Sequence, residues 1–154
     1  MPAATSPLRS HTKVLFICHA NAGRSQMAMG FYNQLYPGMA TSAGTEVDQP
    51  GGRVGDRPQA VHSVQAAREH GLDIGNNIRH QLTPELLDAC DLAVVITNRA
   101  TVPQYVLDSP KVEYWRVADP AGVPLKKAEE VRDHLEQRVR ELAARLHPTH
   151  KEEL

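Results

Sequence analysis

Residues 13–36 read KVLFICHANAGRSQMAMGFYNQLY, and this stretch decides the fold. KVLFI is a short run of apolar, β-favouring residues, which is typical of a strand buried on both faces of a sheet. After the small and polar residues of CHANAGR, Met27, Phe31 and Leu35 follow at intervals of four and predict one face of a helix. The stretch is therefore predicted to form a strand, a tight loop and a helix, with Cys18 where the strand ends.

The rest of the chain repeats this alternation of strands and helices. Three further β-rich runs are predicted strands, at 39–47, 91–97 and 112–117. The predicted helices are a segment around 60–71 that Gly71 can end, a short helix at 84–90 with Thr83 as its cap, and a long amphipathic helix with Val131, Leu135, Val139, Leu142 and Leu146 on its apolar face. This order indicates a single α/β domain with a four-stranded parallel sheet and helices on both faces. Such sheets bind ligands beyond the carboxyl ends of their strands, where Cys18 lies.

Composition excludes several classes of protein. The chain has 154 residues, 41% of them hydrophobic, and a net charge of -1, which gives no bulk attraction to nucleic acid or to an anionic membrane. Its two cysteines make no disulfide framework, and its N-terminus lacks the apolar block of a signal peptide. We expect a cytoplasmic protein with a flexible tail at 1–12, a catalytic domain at 13–147 and a frayed tail at 148–154.

The loop from Cys18 to Ser25 carries the candidate chemistry. A loop of small residues that ends in a helix start directs backbone N–H groups at one point and forms a site for a tetrahedral oxyanion. The planar guanidinium of Arg24 can hold two oxygens of that anion, and the same positive field favours a nucleophilic thiolate at Cys18. The residues expected to surround the anion, besides Arg24, are His19, Ala20, Asn21, Ala22 and Gly23.

Neighbouring side chains have predicted supporting roles. Ser25 can hydrogen-bond the sulfur, Gly23 suits a tight turn beside the ligand, and Asn21 can hold the loop through hydrogen bonds or through a left-handed backbone. His19 either tunes the thiolate or points away from the loop. A buried structural cysteine beside a surface arginine is the simpler alternative, but a C-x5-R-S pattern between a strand and a helix favours a catalytic loop.

The loop CHANAGRS resembles the signature loop of the low-molecular-weight protein tyrosine phosphatase superfamily, which includes thiol-linked arsenate reductases of the same fold. The resemblance extends to SAGT at 42–45, the strand DLAVVIT, the pair Asp119–Pro120 and the C-terminal helix. It implies that Asp119 is the general acid. The position of Asp119 after the fourth strand, at the same edge of the sheet as Cys18, supports that role.

Arsenate and phosphate are both tetrahedral oxyanions, so the loop alone does not separate the two activities of this superfamily. The phosphatases carry two tyrosines after the Asp-Pro pair and a proline after the loop serine, whereas this chain has DPAG and RSQMA. The resemblance therefore favours an arsenate reductase. A tyrosine phosphatase that forms a phosphocysteine intermediate is the alternative, and a catalytically silent oxyanion-binding module is a third possibility.

The second thiol, Cys90, bears on the reductant. Members that use thioredoxin carry resolving cysteines after the third strand, where this chain has Asn98 and Arg99. Cys90 precedes that strand, roughly 20 Å from Cys18, whereas disulfide formation needs Cα atoms within about 7 Å. We therefore expect a low-molecular-weight thiol of the glutathione or mycothiol type as co-substrate and a glutaredoxin-like or mycoredoxin-like protein as reductant.

No bound cofactor or metal is expected. The histidines are scattered, and Met29 stands where some arsenate reductases place a glutamate that helps to hold a cation. The glycine-rich loop after the second strand contains Arg53 and Arg57, neither of which is assigned to the site. The charged residues of 126–145 are predicted to form the solvated face of a helix.

Overall fold

The structure is a computed structural model, and it describes residues 12–148. Apart from Thr12 and Pro148, the predicted tails at 1–12 and 148–154 lie outside the described residues, so those boundaries stay predictions. The carbonyl oxygen of Thr12 accepts a hydrogen bond from the hydroxyl of Tyr32 at 2.8 Å. Within the described range, no helix is both long enough and apolar enough to cross a membrane.

Four parallel strands form one sheet in the order β2-β1-β3-β4. The strands are β1 (Val14–Cys18), β2 (Ala40–Gly44), β3 (Leu92–Val95) and β4 (Val112–Tyr114). The α-helices of the described residues are α1 (Arg24–Leu35), α2 (Val61–Glu69), α3 (Pro84–Asp88), α4 (Gln104–Leu107) and α5 (Leu125–Leu146). The prediction of a single α/β domain on a four-stranded parallel sheet is confirmed.

The central strand β1 is buried along its whole length, as its apolar run predicts. Alternate side chains point to opposite faces of a sheet. Val14 and Phe16 therefore pack with residues of α1 and α5, while Leu15 and Ile17 pack with residues of α3 and α4 on the other face. Burial on both faces keeps β1 rigid, and this rigidity fixes the position of the loop that follows it.

The strands are shorter than the patterns predict. The predicted strand 39–47 pairs only over Ala40–Gly44. Beyond it, the backbone N–H groups of Thr45 and Glu46 donate to the carbonyl oxygens of Cys18 and His19 and so join this segment to the loop. The predicted strands 91–97 and 112–117 likewise reduce to four and three residues. The residues that follow β3 and β4 line a groove at the carboxyl edge of the sheet, among them Thr97, Trp115 and Arg116.

The helix predictions hold in outline. Thr83 caps α3 by accepting a hydrogen bond from the N–H of Leu86 at 3.2 Å, and Gly71 follows α2 with a φ of +85°. Leu35 was expected on the buried face of α1 but is 47% exposed, because it lies at the last turn, beyond the sheet that Met27 and Phe31 cover. The one-turn helix α4 was not predicted.

The apolar face of α5 is as predicted, but its charged face is not wholly solvated. Arg132 is only 7% exposed. Its guanidinium donates to the carboxylate of Glu69 at 2.7 Å and to the carbonyl oxygen of Ala66 at 3.1 Å. These hydrogen bonds satisfy the buried charge and join α5 to α2.

Candidate active site

Cys18 ends β1 at the point where the strand order reverses. The chain leaves β1 for β2 on one side and returns to β3 on the other. In sheets of this kind the connections diverge at such a point and open a crevice at the carboxyl ends of the strands. The fold therefore places the thiol at the position of the sheet that most often binds ligands.

A small cavity opens above Cys18. Its lining residues are Cys18, His19, Ala20, Ala22, Gly23, Arg24, Arg57, Gln59, Ala60, Ser63, Asp119, Pro120 and Ala121. The structure thus brings together seven of the nine predicted site residues. The other two, Asn21 and Ser25, are fully buried behind the loop. The lining contains no phenylalanine, tyrosine or tryptophan, so the cavity is shaped for a compact ligand.

Ser25 lies directly against Cys18. Its hydroxyl oxygen is 3.0 Å from Sγ of Cys18 and accepts a hydrogen bond from the side-chain amide of Asn21 at 2.8 Å. Either atom of this pair can be the donor, but a thiolate has no proton, so an ionised Cys18 accepts the bond from the hydroxyl. A donor at this position stabilises a thiolate, both as it attacks and as it leaves.

Asn21 holds the loop from behind and combines the two roles that its sequence position allows. It has a left-handed backbone, with a φ of 54°. Its amide nitrogen also donates to the hydroxyl of Ser42 at 2.9 Å, and its amide oxygen accepts from the N–H of His80 at 2.8 Å and from Gln26 at 3.1 Å. These partners come from three different parts of the chain and fix the loop in one conformation.

The loop has the polarity of an anion cradle. Among the described residues, the backbone N–H groups of residues 20–23 have no hydrogen-bond acceptor. The loop runs into α1, whose N-cap Gly23 makes no side-chain capping bond, so the unpaired N–H groups of the first helical turn add to the cradle. Unpaired donors of this kind are satisfied by an oxyanion.

Arg24 and Asp119 close the cavity. The guanidinium of Arg24, whose side chain is 10% exposed, donates to the carbonyl oxygen of Val117 at 3.2 Å and lies 3.8 Å from the carboxylate of Asp119. Asp119 accepts a hydrogen bond from the N–H of Ala121 at 3.0 Å and is 61% exposed. Because the Asp119 carboxylate is exposed to solvent, its ion pair with Arg24 contributes little to stability. What matters is that the pair holds this carboxylate at the mouth of the cavity.

Two glycines permit the close packing around the loop. A Cβ at Gly44 would lie 2.6 Å from the carbonyl oxygen of His19 and 2.9 Å from the nitrogen of Asn21. A Cβ at Gly23 would lie 3.1 Å from the ring of Pro120. The SAGT motif contains Gly44, and its placement after a strand was the only sequence signal for this contact.

Two arginines that the sequence did not assign to the site lie beside the loop: Arg57, which was named without a role, and Arg79, which no pattern marked. Arg79 is 2% exposed and donates through Nε and Nη2 to the carbonyl oxygen of Ala20, at 3.2 and 3.1 Å. It is also hydrogen-bonded to Asp48, and this bond lowers the pKa of that carboxyl. Asp48 accepts a second bond at 3.1 Å from Arg57, which lines the cavity, whereas Arg53 does not. The Asp48 carboxylate therefore joins the loop support to the cavity wall.

His19 lies at the rim, where its imidazole is 3.6 Å from the carboxylate of Glu46. Both side chains are exposed, at 42% and 69%. Of the two alternatives left open by the sequence, the structure favours a side chain directed at the rim rather than at the sulfur.

Cys90 lies at the opposite end of the sheet, as predicted. Leu92 is level with Val14 in the sheet register, which places Cys90 six residues of rise, or roughly 20 Å, from Cys18. Its thiol donates to the carbonyl oxygen of Leu87 at 3.1 Å, and burial raises its pKa. Both cysteines are free.

One group of possible metal ligands lies outside the cavity lining. Ligand atoms of His70, Asp133 and Glu136 fall within 4.8 Å of one another. Nδ1 of His70 is hydrogen-bonded to Glu136 at 2.7 Å. The absence of a bound metal stays a prediction.

Comparison with known proteins gives consistent matches. A model of the family described as low molecular weight phosphotyrosine protein phosphatase matches residues 13–152. The arsenate reductase of Staphylococcus aureus (strain Newman) is 32% identical over 125 residues, covering 79% of this chain and 88% of that protein. An arsenate reductase in the phosphate binding state superposes with a TM-score of 0.70 at 29% identity, covering 88% and 98% of the two chains. The YwlE arginine phosphatase from Geobacillus stearothermophilus superposes with a TM-score of 0.75 at 25% identity, covering 92% and 96%.

Proposed function

Because the chain belongs to the low molecular weight phosphotyrosine protein phosphatase family, we propose that it is an arsenate reductase in which Cys18 attacks arsenate and an external low-molecular-weight thiol completes the reduction. The observation that carries the proposal is the cavity itself: a cysteine, an anion cradle and an arginine enclosed by small side chains. Such a cavity fits a free oxyanion better than the ring of a phosphotyrosine. The relatives named as arsenate reductases support the same choice.

Arsenate binds with its oxygens on the N–H groups of residues 20–23 and on the guanidinium of Arg24. The thiolate of Cys18 then forms an S–As bond, and one As–O bond breaks. Asp119, in its protonated form, supplies a proton to the departing oxygen, which leaves as water. The hydroxyl of Ser25 stabilises the thiolate before the attack.

Reduction requires a second sulfur. The thiolate of the external thiol attacks Sγ of Cys18, a sulfur–sulfur bond forms, and the electron pair of the S–As bond passes to arsenic, so that As(V) becomes As(III) and leaves as arsenite. A second thiol, from a glutaredoxin-like or mycoredoxin-like protein, reduces the mixed disulfide and restores Cys18. Each arsenate thus consumes two thiols and yields one disulfide, one arsenite and one water.

A second candidate function is the hydrolysis of phosphomonoesters through a phosphocysteine. Asp119 favours it, because a carboxyl group at the mouth of the cavity can protonate an ester oxygen. A neighbour with this fold is named as an arginine phosphatase, and arginine carries no aryl group. Phosphotyrosine stays the less favoured ester here, since the cavity lining offers no aromatic side chain to its ring.

Both activities are to be measured on one preparation. Arsenite is quantified with glutathione and a glutaredoxin, with mycothiol and a mycoredoxin, and with thioredoxin, while hydrolysis of aryl and alkyl phosphates is followed in parallel. We expect arsenite with at least one small-thiol system and none with Cys18→Ser. If the protein hydrolyses phosphates rapidly and produces arsenite under none of these conditions, the second candidate function is the correct one.

A further inference from the structure

A second groove adjoins the candidate active site and shares Arg24 with it. The groove is lined by Arg24, Thr97, Asn98, Arg99, Tyr114, Trp115, Arg116 and Val117. Apart from Arg24, these residues lie at or just beyond the carboxyl ends of β3 and β4, so the groove opens at the same edge of the sheet as the cavity above Cys18. The mechanism proposed above uses none of them except Arg24.

The groove is positively charged. Besides Arg24 it contains Arg99 and Arg116, both of which are exposed. Across the described part of the chain, no carboxylate lies within 4.0 Å of either guanidinium, whereas the neighbouring Glu113 is held by Arg145 at 2.9 Å and by the indole N–H of Trp115 at 2.9 Å. The groove therefore attracts anions, because no nearby carboxylate competes with them for Arg99 and Arg116.

One of these guanidinium groups is held in place. The Cζ atom of Arg99 lies 4.0 Å from the centroid of the Tyr114 ring, which is a cation–π contact. Stacking leaves the edge of the planar group free for hydrogen bonds, so Arg99 can bind a carboxylate through two nitrogens with little further ordering.

The sheet register gives the distance from the groove to the nucleophile. Ile17 is level with Val95, and Val95 with Tyr114, so the next residue level contains Cys18, Ile96 and Trp115. Adjacent strands are about 4.8 Å apart, which places Trp115 roughly 10 Å from Cys18 across the sheet. An extended tripeptide spans the same length, about 10 Å.

We propose that this groove binds the carboxylate end of the external thiol and so delivers its sulfur to Cys18. The inference rests on the proposed reductase function and narrows its co-substrate to a carboxylate-bearing thiol of peptide size, of the glutathione kind. A neutral sugar-based thiol such as mycothiol lacks the charge that Arg99 and Arg116 would bind. The guanidinium of Arg24, shared by the groove and the cavity, sits between the two ligands.

The site is tested first by binding, without any turnover. S-methylglutathione, which carries both carboxylates and no free thiol, is titrated calorimetrically into the full-length protein at low salt, with saturating phosphate present to fill the cradle at Cys18. We expect binding that weakens about tenfold in Arg99→Gln and in Arg116→Gln. It should also weaken as salt is raised. Arg68→Gln, an equal loss of charge on the exposed end of α2, is the matched control and should bind like the wild type.

The same variants are then assayed for arsenite production with glutathione and with its diethyl ester. We expect the KM for glutathione to be about tenfold higher in Arg99→Gln and in Arg116→Gln than in the wild type. For the wild type, we expect the KM for the diethyl ester to be raised to a similar extent. The proposed thiol site would be wrong if phosphate abolished the binding of S-methylglutathione, or if all variants used glutathione and the ester equally well. Either result would leave the reductase assignment intact. If S-methylglutathione binding depends on Arg99 and Arg116 but no arsenite is produced, the groove is an anion site and the reductase assignment is wrong.

Discussion

The side-chain amide of Asn21 lies 2.8 Å from the hydroxyl of Ser25, and that hydroxyl lies 3.0 Å from Sγ of Cys18. Asn21, which does not line the cavity, therefore contacts the hydroxyl that faces Cys18. The amide orientation is fixed independently, because its oxygen accepts a bond from the backbone N–H of His80. We therefore expect the side chain of Asn21 to influence the reactivity of Cys18 from behind the loop.

Replacement of Asn21 tests this relationship. Asn21→Ala removes the side-chain hydrogen bonds and places alanine at a φ of 54°, so we expect a loss of about 2–4 kcal/mol in the free energy of unfolding and at least a tenfold loss of activity. Asn21→Gly removes the same bonds without the backbone strain and should recover about 1 kcal/mol of stability but little activity. Urea unfolding and turnover are measured on both. Full activity in Asn21→Gly would show that only the backbone conformation matters.

Alkylation separates a reactive cysteine from a silent anion-binding one. At pH 6 we expect iodoacetamide to modify Cys18 rapidly, phosphate to protect it, and Cys90 to stay unmodified because burial raises the pKa of its thiol and keeps it protonated. Mass spectrometry of the intact protein counts the added groups. Cys18→Ser should incorporate none while still binding phosphate, and slow alkylation of the wild type that phosphate does not affect would favour the silent module.

Asp119 is expected to act as an acid toward poor leaving groups. Asp119→Asn should slow the hydrolysis of alkyl phosphates by roughly 10² to 10⁴ and that of activated aryl phosphates far less, because a good leaving group departs without a proton. Rates are compared across a series of esters. Glu46→Gln, the same change at a carboxylate beside the rim, is the control, and an equal response of both variants would return Asp119 to the role of a turn residue.

The sequence predicts the parts of the site that are local. A strand, a small-residue loop and a helix start follow one another between Val14 and Leu35, so Cys18 and Arg24 can be placed before the fold is known. The supports of the loop are not local. Ser42 and Arg79 reach it only after the sheet has formed. Ser42 belongs to the SAGT motif, but nothing in either segment shows that its side chain contacts the loop.

The ion pair behind the loop should give a measurable pH dependence. The hydrogen bond from Arg79 holds the pKa of Asp48 below its ordinary value of 3.8, so the ionised carboxylate stabilises the fold above that pH and loses its effect as the pH falls through the lower, folded value. The stability advantage of the wild type over Asp48→Asn should be constant from pH 7 to pH 5 and shrink below about pH 4. Denaturant unfolding at several pH values measures it, with Asp56→Asn as the control. An advantage that grows on acidification would contradict this sign.

The last prediction concerns Cys90 and the source of the second sulfur. Cys90 lies roughly 20 Å from Cys18 along the sheet, and burial raises the pKa of its thiol, so it is both distant and protonated at neutral pH. Cys90→Ala should therefore leave arsenite production with a small thiol and its redoxin almost unchanged. Arsenite is measured for wild type and Cys90→Ala with thioredoxin alone and with glutathione plus a glutaredoxin, and Cys18→Ser serves as the blank. Efficient turnover with thioredoxin alone that disappears in Cys90→Ala would require the two sulfurs to meet, and the sheet would then have to open during each cycle.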